Sequence, residues 1–148
     1  MHIELKNVKI SGFASEETLC FEAAVYVDGK KAFLVKNDGH GGCNDYVPNG
    51  AEGRVILQKA VEYASSVLSK SFVGMPQWVI FDVYIEDLLE KYQMKQRARR
   101  LCKNCTIFRT PEMPEDQYLK IKLPFNEQVR ARVVARHGNT VEFLNDLL

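Results

Sequence analysis

The residues best equipped for chemistry in this 148-residue chain stand together in Lys36-Asn37-Asp38-Gly39-His40-Gly41-Gly42-Cys43-Asn44-Asp45-Tyr46. Asp38, His40, Cys43 and Asp45 are metal-ligating types, and Cys43 with His40 could act as nucleophile and base. Gly39, Gly41 and Gly42 free the backbone for positive φ and close approach, and their amides could cradle an anion. The same composition also suits a turn carrying a strand into a helix, with Asp and Asn bonding their own backbone. No Gly-Lys-Ser/Thr follows, so this is not a nucleotide phosphate loop, and the glycine spacing is not that of a dinucleotide fingerprint.

A second group is Cys102-Lys103-Asn104-Cys105, which has the spacing of half a zinc site. Cys20, Cys43 and His40 would have to complete it, and they form no second paired motif. The surrounding Leu101 and Ile107 suggest a helix running into a strand, and the flank lacks the aromatic character of a redox motif. The expectation is four reduced thiols, with no metal and no cofactor.

A third is a charge block. Lys91, Lys95, Arg97, Arg99, Arg100, Lys103 and Arg109 occur with no acidic residue between them, after Asp82, Glu86, Asp87 and Glu90. Acids early and bases late on one helix complement its dipole. That accounts for the polarity but does not require seven cations within 19 residues. Arg130, Arg132 and Arg136 could extend the patch, which would suit a phosphate backbone or an acidic protein surface. Tyr92 and Phe108 are too few aromatics for a single-strand stacking platform. The remaining carboxylates, Glu16-Glu17 among them, read as loop residues, and neither a Gly-x-Ser-x-Gly elbow nor a His-Glu-x-x-His helix is present.

Elements must hold these groups in place. Residues 2–13 alternate with a parity change near Asn7, which predicts a bulge or a switch of face. Residues 19–27 put Phe21, Ala23, Val25 and Val27 on one face, and Asp28-Gly29 turns the chain into a third strand over 31–36. Leu57, Ala60, Val61, Ala64 and Leu68 predict a helix from Glu52 to about Ser69, with Asn49 as its cap. A second helix is predicted from about Pro76 to Arg99, its stripe including Trp78, Phe81, Ile85, Leu88 and Leu89. Strands over 105–109 and 118–123 follow, then a third helix capped by Asn126 and ended by Gly138. The tail Val141–Leu148 should dock as a short strand or helix. The expected order is βββααββα plus the tail.

Length fits one domain, residues 1–148, and a net charge of +1 gives no global pull toward nucleic acid or membrane. No apolar run approaches the ~20 residues that span a bilayer, and the first residues lack a signal-peptide pattern. The expectation is a cytoplasmic α+β protein. Its mostly antiparallel sheet, an N-terminal three-stranded meander plus one or two later strands, packs against two or three helices.

Leu5–Lys9, Ser15–Thr18, Cys20–Ala23, Val25–Lys30 and above all Asn37-Asp-Gly-His-Gly-Gly42 resemble a group of small bacterial and phage proteins of mobile elements. The resemblance covers mainly residues 3–46 and carries no catalytic role to Asp38, His40 or Gly42. It implies a non-enzymatic inhibitor of a host nucleic-acid-targeting defence complex, similar to anti-CRISPR proteins, in a bacterial cytoplasm. The partner would be a host protein or nucleoprotein. Arg97, Arg99, Arg100, Lys103 and Arg109 would contact phosphate or acidic surface, and Asn37, Asp38 and His40 would add a shape-specific contact. Inhibitors that imitate DNA are strongly acidic, and this chain is not. Two alternatives stand beside that reading. One is a metal-assisted hydrolase or nuclease on Asp38, His40 and Asp45; the other is a nucleic-acid-binding regulator using the basic helix end.

Overall fold

In the computed structural model, which describes residues 1–148, Asp28 and Gly29 take φ angles of +50° and +85°. Two successive left-handed residues are what a two-residue hairpin needs to match the twist of its strands. The turn joins β2 (Cys20–Val27) to β3 (Lys30–Asn37), with Val27 opposite Lys30. β1 (Ile3–Ser11) pairs antiparallel with β2, and β4 (Asp45–Pro48) with β3, giving the order β1-β2-β3-β4. The parity change in β1 is a bulge: the register shifts between Lys6 and Lys9, and Asn7 has φ +53°. The bulge returns Val8 and Ile10 to the core side that Ile3 and Leu5 occupy.

α1 (Gly50–Leu68) sets Leu57, Ala60, Val61 and Ala64 against Phe21, Ala23, Val25, Phe33 and Val35. Burying a side chain such as Phe33 or Val61 stabilises by about 1.5–3 kcal/mol over leaving it in water. At Gly53 the helix comes so close to β3 that a Cβ would lie 2.3 Å from the Ala32 carbonyl oxygen. α2 (Gln77–Leu101) adds Phe81, Ile85 and Leu89 to the same core from its first part. The other side of the sheet carries Lys9, Glu22, Lys36 and Asp45 in register across all four strands, with alternating charge. These elements, with α2 as far as Glu90, make one compact unit, Met1–Glu90.

Lys91–Leu148 is a second unit. β5 (Thr106–Arg109) lies between β6 (Leu119–Ile121) and β7 (Glu142–Phe143), both antiparallel to it. α3 (Glu127–His137) buries Val129 and Val133 with Phe108 and Phe143. The Asn126 cap accepts a hydrogen bond from the Val129 amide at 2.9 Å, and Gly138 ends the helix at φ +93°. The tail is both strand and helix, β7 followed by a 3-10 turn at Leu144–Leu147. Phe143 and Leu144 are buried, whereas Leu147 and Leu148 stay exposed. Asn145 is buried too: its Oδ1 accepts from the Ile107 amide and its Nδ2 donates to the Cys105 carbonyl, each at 2.9 Å.

The α+β class and the antiparallel meander hold, with two differences. β4 adds a strand inside the stretch expected to be loop, because Tyr46 and Val47 find partners in Val35 and Leu34. Asn49 precedes α1 but makes no side-chain cap bond. Its backbone amide donates to the Ala32 carbonyl at 2.9 Å, which prolongs the β3–β4 ladder.

Candidate functional site

The glycine loop is organised by Asn37, a buried polar side chain at the end of β3. Its Oδ1 accepts from Thr18 Oγ1 at 2.7 Å and from the Gly39 amide at 2.9 Å. Its Nδ2 donates to the Gly42 carbonyl at 3.3 Å and to Asn44 Oδ1 at 3.1 Å. Both ends of the amide are thus used, as burial demands. The Gly39 carbonyl accepts from the amides of Glu16 and Glu17 at 3.0 Å and of Thr18 at 3.3 Å. A Cβ on Gly39 would lie 2.2 Å from the Ala14 carbonyl oxygen, and one on Gly41 would lie 2.6 Å from Glu17 Oε2. Gly39 therefore serves close packing of the 14–18 segment on the 37–44 loop.

In that arrangement two of the glycine amides are already engaged, as the turn reading of the loop has it. The Gly39 amide is taken by Asn37, and the Gly41 amide donates to Thr18 Oγ1 at 3.2 Å. Asp38 is exposed and accepts from the His40 amide at 3.1 Å. His40 is exposed with Nδ1 3.1 Å from Glu16 Oε2, and Asp45 stands opposite Lys36 in the β3–β4 ladder. No three His, Cys, Asp or Glu side chains are grouped where they could share a metal ion, so Asp38, His40, Cys43 and Asp45 do not converge. Asn37, placed by sequence among the contact residues, is spent inside the fold.

Beyond the loop the network reaches α2. Tyr46 Oη donates to Asp82 Oδ1 at 2.5 Å, and Asn44 links to both residues at 3.4 Å. The Tyr46 ring packs on Phe81 and Trp78, at centroid distances of 5.1 and 5.8 Å. Burial, and then the bond to Asp82, push the phenol well above its ordinary ionisation range. Sequence reading passed over this pair. Its one local trace is an acid, Asp82, set between Phe81 and Val83 in an apolar stretch.

The basic helix end belongs to the second unit. Lys95, Arg97, Arg99 and Arg100 on α2 and Lys103 just beyond it are all exposed. Arg109 leaves this group: it is half-buried in β5 with Nε 3.3 Å from Glu142 Oε2, its partner across β7. Arg130 is occupied as well, held by both carboxylate oxygens of Asp146 and lying 4.8 and 4.9 Å over the rings of Phe125 and Phe143. Arg132 and Arg136, one turn apart on α3, instead rim a groove of about 380 Å3 with His137. Its apolar lining is Phe108, Leu119, Ile121 and Val133.

The net charge of +1 conceals a division. Met1–Glu90 has eight Lys and Arg against thirteen Asp and Glu, a formal −5. Lys91–Leu148 has twelve against six, a formal +6. Near-neutrality overall therefore does not exclude a polyanionic partner for the second unit.

Cys102 and Cys105 are free thiols. Cys102 packs with Ala98, Ile107 and Leu144 in a small apolar cluster, and burial first, then Cys105, raises its thiol pKa. No helix of the chain is long and apolar enough to cross a membrane. Comparison of the chain with protein-family models, curated proteins and solved structures gave no match.

Proposed function

We propose that this chain is a non-enzymatic interaction protein that docks its basic C-terminal unit on a polyanionic surface. The observation that carries the reading is the formal +6 of Lys91–Leu148, with Arg97, Arg99, Arg100 and Lys103 exposed at and beyond the end of α2. Exposed guanidinium groups present rigid paired donors that match phosphate oxygens. In the glycine loop, Asn37, Thr18 and the Gly39 backbone are committed to holding two loops together, so the reading places the main contact on the basic unit. The finer proposal rests on the resemblance of residues 3–46 to mobile-element proteins: the surface covered belongs to a host nucleic-acid-targeting defence complex, which the docked chain blocks by its bulk.

Fluorescence anisotropy with a labelled oligonucleotide duplex tests the reading. Contacts from Arg97, Arg99, Arg100 and Lys103 to four phosphates should cost about two orders of magnitude in affinity between ~50 and ~200 mM salt. Reversing Arg97, Arg99 and Arg100 to Glu should remove binding and leave the circular dichroism unchanged. Affinity indifferent to salt, or untouched by the triple reversal, would sink the proposal. For the finer reading, expression of the chain in cells armed with an RNA-guided nuclease should restore phage plating. Restoration by the reversed variant as well would overturn it.

A further inference from the structure

We infer that copies of this chain associate, with Phe13 of one copy seated in the groove between α3 and β6 of another. Phe13 is 100% exposed. It sits in a closed turn, because the Ser15 amide donates to the Gly12 carbonyl at 3.3 Å. The Ala14 amide donates to Ser11 Oγ at 3.2 Å, and Ser15 Oγ donates to the Ser11 carbonyl at 2.6 Å. Behind the turn, the Gly39 carbonyl gathers the amides of residues 16–18. A large apolar side chain is therefore held out in water on a pre-organised tip, the form of an anchor residue that loses little freedom on binding.

The receiving surface lies on the same chain. The groove holds about 380 Å3 and is lined by apolar Phe108, Leu119, Ile121 and Val133 together with Arg132, Arg136 and His137. Leu119 is 42% exposed, so part of the apolar lining is accessible to a visiting ring. The charges match as well. Glu16 and Glu17 follow Phe13 by three and four residues in a unit of formal −5, while Arg132 and Arg136 stand in a unit of formal +6. Opposite fields speed encounter and fix register. The same acidic surroundings disfavour insertion of Phe13 into an anionic lipid surface. Such a contact joins two different surfaces of the chain, one on each unit.

Sedimentation velocity from micromolar to millimolar protein tests this directly. At low salt the mean sedimentation coefficient should rise with concentration, and at high salt it should fall back to that of the monomer. Phe13→Ala should weaken association at least ~10-fold, with oligonucleotide affinity unchanged because Arg97, Arg99 and Arg100 are intact. Arg132→Glu with Arg136→Glu should abolish association. So should Glu16→Arg with Glu17→Arg, and mixing these two charge-reversed proteins should restore it. A concentration-independent coefficient at low salt would overturn the inference. So would association that survives Phe13→Ala, or a mixture that stays monomeric while both variants fold.

Discussion

Thr18 Oγ1 donates to Asn37 Oδ1 at 2.7 Å, and that bond ties the loop after β1 to the loop after β3. It sits among bonds that leave Asn37 fully engaged. Asn37→Ala strands the groups at both ends of the amide, and should cost about 1–3 kcal/mol in chemical denaturation. Asn37→Asp keeps the acceptor and loses both donors, so it should also destabilise. An unchanged denaturation midpoint for both variants would show that the network contributes nothing.

Gly39→Ala and Gly42→Ala separate two causes of strain. Both positions have φ near +90°, which costs an alanine of order 1–3 kcal/mol. Only at Gly39 would the new Cβ also meet a backbone oxygen, that of Ala14 at 2.2 Å, whereas Gly42 has open space around it. The Gly39 variant should therefore unfold at clearly lower denaturant than the Gly42 variant. Equal midpoints would mean that the Ala14 segment yields without cost.

Tyr46 gives stability a dependence on alkaline pH. Its folded phenol resists ionisation through burial and the bond to Asp82, while an unfolded tyrosine ionises near pH ~10. The stabilisation is complete below that pH and drains away as pH rises past it. The slope contributed by this one group approaches ~1.4 kcal/mol per pH unit. Tyr46→Phe should lower stability at neutral pH and flatten the alkaline fall. Parallel curves for the two proteins above pH ~10 would show that the phenol titrates normally.

What could be read from sequence follows from how local each cause is. The Asp28-Gly29 turn, the Asn126 cap and the Gly138 stop depend on residues within a few positions, and all appear where expected. The bulge near Asn7 was visible because the apolar parity of β1 changes there. β4 was not, since four residues of Asp-Tyr-Val-Pro show little alternation and owe their conformation to β3. Asn49 has the chemistry of a cap and its carbonyl accepts from the Gly53 amide, but its side chain makes no cap bond. The pairings of Arg109 with Glu142 and of Tyr46 with Asp82 join residues more than 30 positions apart, beyond any local pattern. The charge division lay in plain sight but becomes meaningful only once a boundary at Glu90 is known.

Asn145 makes a sharper case of the same kind. It stands in for a neighbouring strand by binding the Ile107 amide and the Cys105 carbonyl. Asn145→Ala leaves both unpaired and should destabilise by about 1–3 kcal/mol, with Ile107 losing hydrogen-exchange protection first. Retained protection at Ile107 would show that water replaces the side chain at no cost.

The cysteines should separate by reactivity. Cys43 is exposed, while Cys102 is buried with a raised thiol pKa. Iodoacetamide at neutral pH should label Cys43 in the native protein and reach Cys102 only after denaturation. Equal labelling rates would show that the Ala98, Ile107 and Leu144 cluster opens readily.

The strands at the rims of the two sheets bear on behaviour in a crowded solution. β1 breaks its own ladder with a bulge between Lys6 and Lys9, β4 stops after four residues at Pro48, and β6 and β7 have three and two residues. None offers a long flat row of free amides and carbonyls, the template on which fibrils grow. Addition of a further strand at any of these rims is therefore disfavoured, and the sheets end where they are.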